Sequence, residues 1–553
     1  MKKFIALLFF ILPVAFYSQV GYVETENKIY DYLERLNDIG LLENYDSFEK
    51  PKTRREIAAR LIELNNKRDL LNSIDKRKLD YFLAEFEFEI KKETRRYSSL
   101  FGNSFGYLIN NKPKFLFFSA DTNTGSVFVN FIGGTEGIYK SEIKNGAFAL
   151  PYIFGGEIRL TFGKHFGAMI KATNGSFFGE KDVLINEKPF KYNYKFTETS
   201  SDNIGSEYFD ETAGYFTVQT KYADFKIGRD RMNFGYGIYK TLVGNNAPRF
   251  DYLAMNLRYK NFRFSYFHGK VLGSILRGEF HDIDGNPTSF VLVGDKWIAY
   301  HRFAFNVSGG TQFGVGETVV YHGRAVDLSY LNPFNFYKSA EHANQDRDNS
   351  MLFFDFKTLD LIKRVGISLA FMIDDIDFSK LGTGWYGNNF LWDFGLSYSP
   401  NFLNADIFKF QFVRIEPYFY SHKYYDNNFT HYGYNIADNF QPNSLNIILR
   451  YDFSVTENLD FSFSYLYQKH GANEVDADGN VVTNYGGNIL VGHRLNDAEY
   501  LHFLDGIKET LNYAEFKFRY EFIRNYDLLG KIIYTDDKET SAYAFYLGVK
   551  ATL

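Results

Sequence analysis

A chain of 553 residues exceeds one ordinary soluble domain, and 60 Phe and 43 Tyr against 11 Pro give it an aromatic content of 19%. A net charge of −5 is small for that length and excludes the electrostatic footprint of a nucleic-acid binder. The absence of Cys excludes disulfides, thiol catalysis, thiolate metal sites and an N-terminal lipoprotein anchor.

Residues 1–18 read as an export signal. Lys2 and Lys3 form its charged start, Phe4 to Phe16 its apolar run, and Gln19 begins the mature chain. The apolar run is short for a membrane anchor. No later stretch carries about 18 consecutive apolar residues. A mature chain in a membrane is then a closed barrel, because lipid offers no partner to free backbone groups. Outward aromatic girdles and a polar interior account for the composition in such a barrel.

Residues 19–97 read as a small periplasmic α-helical bundle. Ile29, Leu33 and Leu36 share one helical face, and Gly40 is placed to end that helix. Thr53 and Glu56 form a capping box behind Pro51, with Ile57, Leu61 and Leu64 facing inward. A third helix carries Leu79, Phe82, Leu83, Phe86 and Ile90. Charges such as Arg54, Arg55 and Glu63 are expected on a solvated face. About seventy residues are too few for the plug of an energised transporter.

Residues 98–553 read as a transmembrane antiparallel β-barrel, so the fold class is mainly β. Leu445, Ile447, Leu449, Tyr451 and Phe453 alternate with Asn446, Ile448, Arg450 and Asp452. Ala514, Phe516, Phe518, Tyr520 and Phe522 alternate with Tyr513, Glu515, Lys517, Arg519 and Glu521. One face suits lipid and the other a polar lumen. A soluble sandwich also alternates, but with shorter strands and no need of closure. Short connections such as Lys260-Asn261 and Arg524 to Asp527 alternate with long ones. The long ones include Thr173 to Thr212, Asp230 to Arg249, Gly269 to Lys296, His322 to Ser350 and Asp374 to Asn389. Short turns face the periplasm in such barrels, which puts the long loops outside and both termini in the periplasm. Counting back from the C-terminus gives about twenty strands, with the first pair near Phe101 and Phe115 the least defined.

The long loops hold the candidate site. Arg229, Asp230, Arg231 and Tyr236 follow one another after a strand; His301 and Arg302 are adjacent in another; Asp374 and Asp375 form a carboxylate pair. Carboxylates, guanidinium groups and amides bond to hydroxyls, and aromatic faces cover the apolar face of a sugar. The same residues can instead brace the barrel wall, since Arg–Asp pairs do so commonly. We place all eight near the outer rim, some binding and some bracing. No catalytic site emerges. Adjacent strand residues point to opposite faces, which separates Asp374 from Asp375. No spaced His pair suggests zinc, and no Ser stands in a distinctive setting beside a strand His. No metal and no cofactor are expected.

Gly228-Arg229-Asp230-Arg231, Phe234-Gly235-Tyr236-Gly237 and Asn245-Asn246-Ala247-Pro248, in that order, resemble the Wzi-like capsule assembly proteins, including Bacteroidetes members. Tyr300-His301-Arg302, Tyr330-Leu331-Asn332-Pro333, Asp348-Asn349 and Asp374-Asp375 continue the likeness, and Pro51-Lys52-Thr53-Arg54-Arg55-Glu56 looks like that family's entry bundle. The likeness runs from about Tyr30 to Gly395. Phe234 stands where relatives often carry Trp. The resemblance implies an outer-membrane barrel of about eighteen strands, one hairpin fewer than our count. It also implies a lectin-like, non-enzymatic role: retaining capsular polysaccharide or exopolysaccharide at the cell surface. The expected partners are surface polysaccharide and outer-membrane lipid; no nucleic acid and no particular protein is indicated. A porin or transport channel, or a barrel subunit of a secretion or motility complex, is the alternative.

Overall fold

The computed structural model describes residues 20–91, 95–99, 106–121, 124–143, 146–193, 196, 208–281, 287–400 and 405–553. The export-signal reading of residues 1–18 and the strand expected near Phe101 lie outside them. Among the described residues, twenty antiparallel strands are hydrogen-bonded in chain order, and the last, Ser541–Thr552, pairs with the third, Gly125–Lys140. The ring therefore holds eighteen strands. The extra hairpin, Arg95–Ser99 with Phe117–Asp121, pairs only with the start of Gly125–Lys140, through Phe117↔Val129 to Asp121↔Gly125. That strand's edge is shared: the hairpin takes residues 125–129 and the last strand takes 132–140. The count of twenty is thus corrected by one hairpin, as the resemblance implied.

Connections such as 220–222, 260–261, 307–310 and 524–525, none longer than seven residues, gather at one end; the long connections of the ring gather at the other, where the hairpins ending at Lys140/Ala147, His281/Pro287 and Asp536/Ser541 also close after four to six residues. Outward-facing Phe154, Ile170, Phe216, Ile227, Phe354, Leu369, Phe463 and Phe545 remain exposed and form an apolar belt. No described helix is long and apolar enough to cross a membrane. One expected loop is strand instead. Phe262–His281 and Pro287–Asn306 run 20 residues each and extend as a hairpin, with a bulge between Leu272 and Ile275. The irregular register there breaks the alternation that marks a strand in sequence.

Helices α1 (Ile29–Asp38), α2 (Arg54–Asn66), α3 (Ser73–Glu85) and α4 (Glu87–Ile90) plug the short-turn end. Leu33, Leu36, Ile57, Leu61, Leu64, Leu79 and Phe82 share their core. Thr53 Oγ1 accepts from the Glu56 amide at 3.1 Å and caps α2. The third predicted helix breaks at Phe86 into α3 and α4. The bundle is tied to the turns it faces. Lys78 reaches Ser454 and Asp460, both at 2.6 Å, Arg77 reaches Glu457 at 2.7 Å, and the Asn44 amide donates to the Gly309 carbonyl at 2.8 Å. Arg54 and Arg55 are not a solvated face: Arg54 is buried against Glu89, and Arg55 pairs with Asp224 of the wall at 3.2 Å. A bundle docked inside a barrel has no free face at those positions.

The lumen is also not wholly polar. Phe267, Ile298, Tyr300, Val320, Met351, Phe353, Met372, Leu391, Val413 and Ile448 point inward and form one dry core with side chains of the long loops. The inward face needs polar residues only where water remains. Loops folded into the barrel remove that water over the upper half of these strands.

Candidate functional site

Arg302 is the centre of the buried interior. Its guanidinium holds Asp355 through two bonds, Nε–Oδ2 at 2.8 Å and Nη2–Oδ1 at 2.7 Å, and bonds Gln312 at 3.1 Å. Tyr236 donates to Gln312 and Asp355, both at 3.0 Å. From the N-terminal segment, Asp46 lies 3.5 Å and Glu49 3.8 Å from Arg302, and Phe48 packs its ring under the guanidinium at 4.2 Å. Glu49 also accepts from Tyr300 at 2.7 Å and Ser265 at 2.5 Å. Burial alone would raise the Asp46 carboxyl, but Lys52 and Arg302 pull it down to about 2. Three carboxylates around one guanidinium thus fasten the N-terminal segment to the inner wall.

Two pieces of chain meet here from opposite ends. The loop 231–249 folds down into the lumen, and the segment at 46–53 rises from the helical bundle. They pair as a short two-stranded sheet, Glu49↔Phe234 and Lys50↔Asn233, and the Gly235 amide donates to the Phe48 carbonyl at 2.8 Å. Gly235 adopts φ +133°, and a Cβ on Gly237 would fall 1.9 Å from Gln411, so the motif's glycines serve this close approach. Phe234 is buried against Phe267 and Tyr300. The loop 416–443 locks the other side: Tyr420 donates to the Thr241 carbonyl, and Asp438 accepts from the Lys240 and Asn245 amides at 2.6 Å and 2.9 Å.

The eight residues named from the sequence therefore separate. Tyr236 and Arg302 come together as this internal brace. Asp230 points inward and accepts from Lys226 at 2.6 Å. Arg231 bonds Glu211 at 3.1 Å and the Ala247 carbonyl at 3.3 Å. Arg229, one residue from Asp230, points to the outside of the wall and pairs with exposed Asp251 at 3.0 Å. His301, adjacent to Arg302, also faces outward. It bonds Glu317 and the Pro333 carbonyl, each at 3.1 Å, and stacks on Tyr337 at 4.4 Å. The segment 323–348 folds back as a flap over the outer wall and buries it there. Glu317 accepts from the Tyr337 and Lys338 amides at 2.8 Å and 3.2 Å and so caps the flap's helix, Tyr337–Ala343. Asp375 is exposed and holds Lys338 at 3.0 Å. Asp374 is buried, and burial followed by the neighbouring Asp375 raises its carboxyl well above the usual range. Among the described residues, no group of three His, Cys, Asp or Glu is arranged to hold a metal ion.

At the mouth the loops 180–193, 231–249 and 416–443 converge on a cluster that sequence reasoning missed. Lys188 donates to the Asn245 carbonyl, Tyr192 to the Asn246 carbonyl, and Lys191 to Asn246 Oδ1 at 3.2 Å. Lys191 stands 4.4 Å over the Tyr434 ring, and Tyr192 meets that ring edge-on at 5.4 Å. Burial, then the neighbouring Lys188, pushes the Lys191 ammonium down to about 8. Cations, amide groups and partly exposed rings converge here at the solvent. The signal was the local density of Lys and Tyr in Lys188 to Tyr192 and Tyr432 to Tyr434, which are loops in sequence and neighbours only in space.

The lock is expected to be sensitive to acid. His431 Nδ1 accepts from the Leu272 amide at 2.9 Å while Nε2 faces the Arg249 carbonyl at 3.4 Å, so the ring is neutral with its proton on Nε2. Burial holds its pKa down to about 4. Between that value and about 6.5 the unfolded segment binds the proton that the folded one refuses, so stability falls as pH falls through this window. Protection factors of residues 416–443, corrected for the intrinsic exchange rate at each pH, should be lower at pH 4.5 than at pH 7.5; equal protection would contradict the assignment.

The model of the family described as Capsule assembly protein Wzi matches residues 190–534, more than half of the chain. The chain belongs to the Wzi capsule assembly family. A solved structure of Escherichia coli Wzi, described as an outer membrane protein involved in group 1 capsule assembly and as a carbohydrate-binding β-barrel, shares 13% identity and a TM-score of 0.55, covering 96% of this chain and 99% of that one. The protein is thus an outer-membrane β-barrel of the Wzi fold. OccK8 (OprE) of Pseudomonas aeruginosa and a BenF-like porin of Pseudomonas fluorescens each share 10% identity, cover 77% of this chain and 98% of their own, and reach a TM-score of only 0.44. That likeness carries no argument for transport. No curated protein matches the chain.

Proposed function

We propose that the protein retains capsular polysaccharide or exopolysaccharide at the cell surface, without enzymatic chemistry, on the outer mouth of a barrel closed to transport. The observation that carries the reading is the pairing of Glu49-Lys50 with Asn233-Phe234 inside the lumen. A lumen filled from both ends leaves a long polymer only the outer loops to meet. Escherichia coli Wzi, of the same fold, is described as binding carbohydrate. In this reading residues 19–97 are the periplasmic bundle, residues 98–553 the barrel, and the long loops are extracellular. Lys188, Lys191, Tyr192 and Tyr434 offer the sugar cations and ring faces, with Arg231 beneath them. Arg229 and Asp375 are exposed and available to the same polymer; Asp230, Tyr236, His301, Arg302 and Asp374 brace.

Planar-bilayer recording of the purified protein tests the closed barrel. The expected record shows no stepwise conductance, whereas a sustained porin-like current would overturn the proposal and restore the channel alternative.

A further inference from the structure

One large cavity lies outside the barrel, not within it. It holds about 1170 Å³ between the flap at 323–348 and the loop 374–389. Its floor is the outward face of three neighbouring strands at their long-loop ends: Leu352, Phe371, Ile373, Phe390 and Trp392. Phe371 and Trp392 lie 4.1 Å apart, and Trp392 keeps 45% exposure. Further down the same strands, Phe354, Leu369 and Leu396 continue the floor directly into the lipid-facing belt. The groove therefore opens sideways, at the level where acyl chains give way to headgroups. Phe378 and Leu381 on the loop above are 77% and 47% exposed and face no protein core.

The upper rim is polar and of both signs. Lys338 is held by Glu341 at 2.8 Å and Asp375 at 3.0 Å, and Arg494 by Asp497 at 2.8 Å. Among the described residues Lys423, exposed at this rim, carries no carboxylate partner. Trp385 and Tyr386 complete the rim, with His493 stacked on Tyr386 at 3.5 Å. A bare anionic headgroup would meet carboxylates as often as cations. A saccharide head uses both, because hydroxyls donate to carboxylates and accept from ammonium groups, while a phosphate on that head finds Lys423.

We infer that this groove is a lateral binding site for an acylated saccharide, the glycolipid of the outer leaflet. Its acyl chains lie on the Phe371–Trp392 floor and its sugar head lies against Trp385, Asp375 and Lys423. The inference rests on the outward orientation of the long loops proposed above. Protease access to the loop 374–389 on intact cells reads that orientation separately, and lipid binding in detergent does not depend on polymer retention. The two readings therefore fail independently.

The test is native mass spectrometry of the full mature chain in detergent. Rough-type lipopolysaccharide and phosphatidylethanolamine are the probes, added in separate titrations. The glycolipid is expected to bind at least about tenfold more tightly than the phospholipid. Lys423→Glu at the rim and Phe378→Asp on the loop should each weaken the glycolipid at least about fivefold and leave the phospholipid unchanged. Both substitutions are at exposed positions, and unaltered heat-modified gel mobility verifies the barrel. Equal affinity for the two lipids, or glycolipid binding indifferent to both substitutions, would overturn the inference.

Discussion

Replacing Arg302 with Met is expected to destabilise the protein by about 3–5 kcal/mol, because it strips the shared cation from buried carboxylates. Arg302 is 1% exposed; Asp355 and Glu49 pair with it, and Asp46 shares it with Lys52. The Met side chain fills the volume but strips the cation from Asp355 and Glu49 and leaves Asp46 only Lys52, at 3.6 Å. Two of those carboxylates belong to the N-terminal segment, so the bundle's attachment weakens with the core. Denaturant unfolding in detergent measures the loss, and limited tryptic proteolysis after Lys52 and Arg55 reads the release. Arg302→Met combined with Asp355→Leu should recover part of the stability, since removing both partners costs less than removing one. A single variant within about 1 kcal/mol of the parent would show that the network is a surface-like arrangement of little worth.

The second large effect concerns the mouth. Lys191→Glu with Tyr434→Ala is expected to weaken binding of the cell's own polysaccharide at least about tenfold, a loss of about 1.4 kcal/mol. The double substitution removes a cation that stands over a ring at 4.4 Å and the ring itself. Neither residue contacts the Arg302 network, so unfolding should change little. Binding of purified polymer to immobilised protein gives the comparison. Full affinity in the double variant would move the polymer to another part of the mouth. The Arg229–Asp251 pair is the next place to look, because both side chains are exposed on the outer wall.

Alternation carried most of the barrel into view. Leu445 to Phe453 and Ala514 to Phe522 lie in strands Ser444–Thr456 and Ile507–Ile523, with Leu449, Phe516 and Phe522 on the exposed face. The strand count overshot because Phe117–Asp121 is a true strand whose exclusion from the ring depends on where Ser541–Thr552 docks. Nothing local distinguishes it. The site was less legible for the same reason. Arg302 could be named, but Asp46 and Glu49 are some 250 residues away in sequence. Neighbouring residues also part company: Asp230 and Arg302 enter the core, while Arg229 and His301 face out. Period-two geometry dictates that split once register is known, and a one-residue shift would have inverted it. The outward-folded flap left no periodic trace, because its contacts are made by helices of four and seven residues and by isolated rings.

Retention of surface polysaccharide in a strain lacking the protein tests the central claim most directly. Cell-bound and released polymer are assayed separately and summed. The account predicts an unchanged total with the polymer shifted into the medium, and return to the cell when the intact protein is restored. Normal retention without the protein would contradict it.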